Sequence, residues 1–173
     1  MKILGGFFVF KMDSKSLVDL YVAYIRGTPD KTLVVLLNIF LCNITKLTSR
    51  VIGVTPTKVH ITTKVVKHIH DRHVYDKIVQ ESEVALILQN LEKVVRYPNH
   101  IYNNKPGKTA DYLFVKKIKL ERVVVLLQIG ELEGADGDKE EILYVVSSFV
   151  LRDEGYLKGL TLLWDWEGGL PPS

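Results

Sequence analysis

The sequence predicts an α+β fold: two helices packed on a four-stranded, mostly antiparallel sheet, with an N-terminal extension. Three observations predict it. Two segments near the middle of the chain repeat apolar residues at helical spacing. Three later segments are apolar or alternating over eight to ten residues and rich in Val, Ile and Tyr. The first two of those are joined by a link short enough for a hairpin.

The opening MKILGGFFVFKM starts like a signal segment. It lacks a clear cleavage region and meets Asp13 early, so it reads as a strand or strand pair broken by Gly5 and Gly6. SKSLVDLYVAYI, 14–25, places Leu17, Leu20, Tyr21 and Tyr24 at the spacing of an amphipathic helix, with Asp13 or Ser14 as its cap. RGTPDK, 26–31, is a turn. TLVVLLNIFLCNI, 32–44, is apolar throughout and ambiguous between a buried helix and a strand. It holds Asn38 and Asn43 and falls short of the roughly 20 residues of a membrane helix, so buried core is expected and a membrane partner is not. Residues 45–57, with their Thr, Ser, Gly and Pro, read as a loop or short extended segment. Residues 1–50 form the extension and 51–173 the principal domain.

From residue 58 the pattern sharpens. VHI, 59–61, is extended. Thr62 or Thr63 can cap a helix running to about His73, whose apolar face carries Val65, Val66, Ile69 and His73, with His70 at its edge and His68 and Lys64 pointing away. A second helix over 83–95 has the stripe Val84, Ile87, Leu88, Leu91, Val94 and Val95. YPNHIYNNKPGK, 97–108, is a loop. DYLFVKKI, 111–118, is a strand with Tyr112, Phe114 and Lys116 on one face and Leu113, Val115 and Lys117 on the other. RVVVLLQI, 122–129, is a central strand. After the acidic hairpin loop 131–141, EILYVVSSFV, 141–150, is the next strand. The remaining strand is VHI or lies in the C-terminal tail, where the spacing of Trp164 and Trp166 suits an extended segment before a flexible GGLPPS.

Lys and Arg number 23, Asp and Glu 20, a net charge of +3. That small excess permits a nucleic-acid partner without arguing for one, so basic function depends on local clustering. The single cysteine, Cys42, excludes a disulfide framework, fits the cytoplasm, and reads as a buried, inert thiol. There is no P-loop and no GxGxxG, and Asp136 and Asp138 lack the rest of a calcium loop.

The most unusual stretch is KHIHDRH, 67–73, with three of the five histidines. His70 and His73 are spaced to share a metal ion, but zinc wants three or four protein ligands, and neither HExxH nor CxxC occurs; no metal and no cofactor are expected. Metal-free RNA cleavage by 2′-hydroxyl attack suits the residue types better. Histidine can move protons near neutral pH, and lysine or arginine can offset charge on the phosphorane. His73, one of Lys116 and Lys117, and one of Ser147 and Ser148 form a plausible set. Each also has an ordinary structural reading: a core-edge imidazole, edge-strand charges and strand hydroxyls.

The order HITTKVVKHIHDRH, then YPNHI, then YLFVKKI, then LYVVSSF resembles the phage- and mobile-element-associated nuclease domains grouped with barnase, EndoU, the nuclease colicins and RelE. The resemblance covers about residues 58–152. It implies a metal-independent ribonuclease, with His68 and His73 at the two signature histidines, Lys116 or Lys117 at the basic strand position, and Ser147 or Ser148 at the hydroxyl position. The expected function is an RNA-cleaving toxin or mobile-element effector with RNA, for example tRNA, as substrate, and His70, Arg72 and Lys108 as further substrate contacts. An antitoxin or immunity protein is the expected partner. The alternatives are an inactive RNA- or protein-binding module, and a structural protein of a virus or mobile element that self-associates into a homo-oligomer through 32–44.

Overall fold

The computed structural model describes residues 9–11, 14–29, 31–55, 58–74 and 81–167, with side chains from residue 15 onward except at 73 and 74. The expectations for Gly5, Gly6, Asp13, the side chain of His73 and the tail from 168 lie outside the described residues.

Eight strands form one mixed sheet: β1 (Val9–Lys11), β2 (Asn38–Asn43), β3 (Lys58–Thr62), β4 (His100–Asn103), β5 (Tyr112–Ile118), β6 (Glu121–Glu133), β7 (Lys139–Val150) and β8 (Thr161–Asp165). Their spatial order is β1-β2-β3-β7-β6-β5-β4-β8. Strands β4 to β7 run as an antiparallel meander, and β8 closes on β4 antiparallel. On the other side β3 joins β7 in parallel, β2 lies antiparallel to β3, and β1 parallel to β2. The described helices are α1 (Ser14–Tyr24), α2 (Lys46–Ile52), α3 (Thr63–Val74) and α4 (Glu81–Arg96).

This corrects the expectation of two helices on a four-stranded sheet with an extension beside it. The segment read as an extension supplies β1 and β2 to the same sheet, and α1 packs on α4. The ambiguous apolar run splits: 32–37 has no regular structure, and 38–43 is a strand. The stretch read as a loop holds α2. Only its ends mark that helix: Thr45 Oγ1 accepts from Thr48 N at 3.1 Å, and Gly53 closes it at φ 67°.

α4 is the centre of the core. Val84, Ile87, Leu88, Leu91, Val94 and Val95 are all fully buried, as the spacing predicts. Full burial of such side chains is worth about 1.5–3 kcal/mol each, so this stripe anchors the helix. Glu81 and Glu83 at its start and Lys93 and Arg96 at its end complement the helix dipole. It packs on β2, β5, β6 and β7, over Phe114, Val123, Val125 and Leu127. A second apolar cluster lies on the opposite sheet face: Leu113, Val115, Val124, Phe149, Leu151 and Leu157. A 3₁₀ turn, Glu154–Leu157, folds over that face. Cys42 is buried, and burial pushes its thiol up to about 12, with Glu92 adding to the rise and Arg96 opposing it. No described helix is long and apolar enough to cross a membrane.

Candidate functional site

The site is built around a register slip. Leu126 pairs with Ser147 but Leu127 pairs with Val145, which leaves Val146 as the extra residue of a β-bulge. Before the bulge, Leu143 and Val145 join the main core under the helices; after it, Val150 does. Ser148 shares that side, and its Oγ donates to the Val124 carbonyl at 2.7 Å within the sheet. Ser147 and Phe149 take the opposite face. The Ser147 side chain is buried, and its Oγ has no hydrogen-bond partner.

Ser147 lines a cleft of about 560 Å³ on that face, with its Oγ shielded from solvent. Apolar walls come from Ala110, Leu126, Val146 and Leu160, and polar groups from His68, Asn104, Lys105, Lys108 and Tyr156. Among the described residues no carboxylate lines it. His68 arrives from α3 because β3 stays paired with β7 only at Val59 and His60. The chain then turns into α3, which packs against β7. Val66 and Ile69 of that helix enter the core, and His68, on its exposed side, reaches the cleft.

The two lysines share one turn. Lys105-Pro106-Gly107-Lys108 has Lys108 N donating to the Lys105 carbonyl at 3.3 Å, with Gly107 at φ 80°. Proline second and a left-handed glycine third make a type II turn, which brings its first and fourth residues together. Asn104 holds the loop closed. Its Nδ2 donates to the Ala110 carbonyl at 2.8 Å, and its Oδ1 accepts from Lys105 N at 2.9 Å. Two cations and an imidazole, without a counter-charge among the described lining residues, make a site for an anion.

The structure divides the expected site residues. His68, Lys108 and Ser147 line the same cleft. Arg72 stands beside it: its guanidinium lies 5.5 Å from the centroid of Phe149, and Phe149 meets Tyr156 at 4.9 Å. The others lie elsewhere. His70 is buried in the core with Nδ1 3.0 Å from the Tyr21 hydroxyl, and burial holds its pKa below the usual histidine value. Ser148 is used inside the sheet. Lys116 faces the helix side and donates to the Tyr97 carbonyl; burial and, secondarily, Lys93 lower its pKa. Lys117 lies on the cleft's face but in a separate hollow with Asn99, His100, Leu120, Arg122 and Glu167. Alternation along β5 thus turns Lys116 to the other face, while Lys117 shares the cleft's face but lines a separate hollow. Asn104, Lys105 and Tyr156 were not singled out from the sequence, although the KPGK turn was a readable signal for Lys105.

One described group has metal-ligand character. His100 Nε2 is 3.2 Å from Asp165 Oδ1 and 3.5 Å from Glu167 Oε1. Both carboxylates are largely exposed, and His100 and Asp165 are cross-strand partners. The contacts already join imidazole to carboxylate as an edge-strand ion contact, with Lys117 and Arg122 in the adjoining hollow.

No family model, curated protein or solved structure matches the chain.

Proposed function

We propose that the chain binds RNA through a backbone phosphate in this cleft and cleaves it without a metal ion. The observation that carries the reading is the buried Ser147 hydroxyl, which has no partner among the described residues and borders a cleft whose charged lining, among the described residues, is cationic. A buried hydroxyl left without a hydrogen bond costs about 1–3 kcal/mol, and a phosphate oxygen would satisfy it once the groups shielding the Oγ move aside. Lys105 and Lys108 offset the phosphate charge, and the gain rises in the transition state as charge builds on the phosphorane. His68 takes the proton of the 2′-hydroxyl. The 2′-oxygen bonds to phosphorus and the bond to the 5′-oxygen breaks. A lysine ammonium protonates the departing oxygen, leaving a 2′,3′-cyclic phosphate and a 5′-hydroxyl. The resemblance to barnase-like nucleases agrees with this chemistry, but the residues that support it here are His68, Lys105, Lys108 and Ser147. The reading places the chain in the cytoplasm and calls for an inhibitor protein that restrains it.

A second reading has one specific observation in its favour. Among the described side chains, His68 is the only imidazole lining the cleft, and a cleft with one histidine also suits an RNA-binding module without turnover.

The test is incubation of labelled total RNA and tRNA with the purified chain in excess EDTA, alongside His68→Ala and Lys105→Ala/Lys108→Ala variants shown to be folded. Cleavage that survives EDTA, leaves 2′,3′-cyclic ends and disappears in His68→Ala is the expected result. Binding that depends on the lysines without cleavage selects the second reading. Cleavage unchanged in every variant removes the site.

A further inference from the structure

The cationic part of the cleft accounts for a phosphate but not for its apolar half. The 3₁₀ turn Glu154–Leu157 supplies another part of the wall, and Tyr156 lines the cleft from it while staying 44% exposed. This tyrosine is held firmly for an exposed aromatic. Asp153 caps the turn, its Oδ1 accepting from Gly155 N at 2.8 Å, and Tyr156 N donates to the Asp153 carbonyl at 3.1 Å. Leu157, next in sequence, is buried in the second apolar cluster. The Tyr156 ring meets buried Phe149 nearly perpendicularly, at 77°, and Arg72 lies against the same Phe149 ring. The position of the tyrosine is thus set before any ligand arrives, which lowers the ordering cost of binding.

A flat, pre-positioned aromatic that shares a cleft with two cations and the apolar lining of Ala110, Leu126 and Val146 fits a flat, neutral group attached to an anion. We infer that the cleft takes an unpaired nucleotide: its base stacks on Tyr156 while its phosphate lies at Lys105, Lys108 and Ser147. The inference rests on the phosphate assignment above and deepens it by naming the substrate class as single-stranded RNA. A base within a duplex is already stacked on both faces and cannot use Tyr156. Stacking does not depend on base identity, because every base has a π-face, so the site distinguishes single strand from duplex and not one base from another.

The experiment measures binding of the full chain to three fluorescent probes whose labelled strands carry equal numbers of phosphates: a single-stranded oligoribonucleotide, its duplex, and an oligomer of abasic sites. The 2′-hydroxyls of the first two are methylated so that cleavage cannot interfere. Wild type, Tyr156→Leu, Tyr156→Phe and Lys105→Ala/Lys108→Ala are compared, with the folding of each checked by thermal melting. Wild type should prefer the single strand over both other probes. Tyr156→Leu should weaken the single strand by about 5- to 150-fold, the range of one base–aromatic stack, and leave the abasic probe nearly unchanged. Tyr156→Phe, which keeps the ring, should bind as wild type does. The lysine variant should weaken all three. Equal affinity of wild type for single strand and duplex, or equal loss on abasic and base-bearing probes in Tyr156→Leu, overturns the inference. If the methylated single strand shows the Tyr156 dependence but unmodified RNA is never cleaved, the nuclease reading falls and this one stands. If RNA is cleaved but Tyr156→Leu binds and cleaves normally, the reverse holds.

Discussion

Lowering the pH from 7.5 to 5.5 should destabilise the fold, and two buried histidines set the size of the loss. His70 is buried beneath α1 against Tyr21, and burial lowers its pKa; Asp71 and Glu81 oppose the shift and Lys67 adds to it. His60 is also buried, with Nδ1 2.9 Å from Asn38 Oδ1, and burial lowers its pKa with help from Lys58 and opposition from Glu140. In the unfolded chain both titrate near 6.5. Between that value and their lower folded values, the unfolded state binds more protons, so stability falls as pH falls. Their contribution is complete above about pH 6.5 and is lost on the acid side. Each group contributes at most about 1.4 kcal/mol per pH unit, so the pair sets a ceiling of about 2.7 kcal/mol per unit within the window. Urea unfolding at half-unit pH steps measures it, as a fall in midpoint at constant slope. His70→Gln should remove about half of the pH dependence while lowering stability at pH 7.5. A wild-type stability that stays flat or rises from pH 6.5 to 5.5 would refute the reasoning, because neutral buried imidazoles cannot produce either result.

Two further outcomes follow from single residues. Ser147→Ala should leave the stability of the free protein unchanged or raise it by up to about 1 kcal/mol, because the hydroxyl it removes is buried without a hydrogen bond among the described residues, and the small cavity it leaves offsets part of the relief; RNA binding should nonetheless weaken, and thermal melting beside the binding assay reads both. Gly130→Ala should destabilise by about 1–3 kcal/mol in urea unfolding, since its Cβ would meet Tyr144 Cδ2 at 2.8 Å and press a ring that packs near His60.

Much of the middle of the chain is legible from its sequence, for a physical reason. The stripes of α3 and α4 and the alternation of β5 arise from local periodicity, and periodicity also places His68 off the apolar face of its helix. The outer sheet is not legible in the same way. β2 carries a continuous apolar run because it is buried on both sides, and such a run has no period to read. α2 is too short for a stripe. The parallel pairing of β3 with β7 is a long-range choice that no local pattern encodes. The cleft is legible only in part. Which of Lys116 and Lys117 faces which way is fixed by alternation, but their distance from His68 depends on the position of β5 in the sheet. Which serine faces the cleft depends on Val146, because uniform alternation through β7 would put Ser147 with Leu143 and Val145 on the core side.

The bulge at Val146 also bears on how such a site can change. Strand residues are normally exchanged one at a time, each on its own face. Here the extra residue acts on a whole half-strand at once. If the strand kept Val146 but alternated regularly through it, Ser147 and Phe149 would turn inward and Ser148 and Val150 outward. The cleft would lose its hydroxyl and the aromatic support of Tyr156 in one step, with every side chain chemically intact. Deletion of Val146 would instead make Val145 and Ser147 neighbours, paired with Leu127 and Leu126 as now, and leave both faces unchanged. The site therefore depends on where the strand breaks its alternation as much as on residue identity, and the serine and the aromatic support should be kept or lost together.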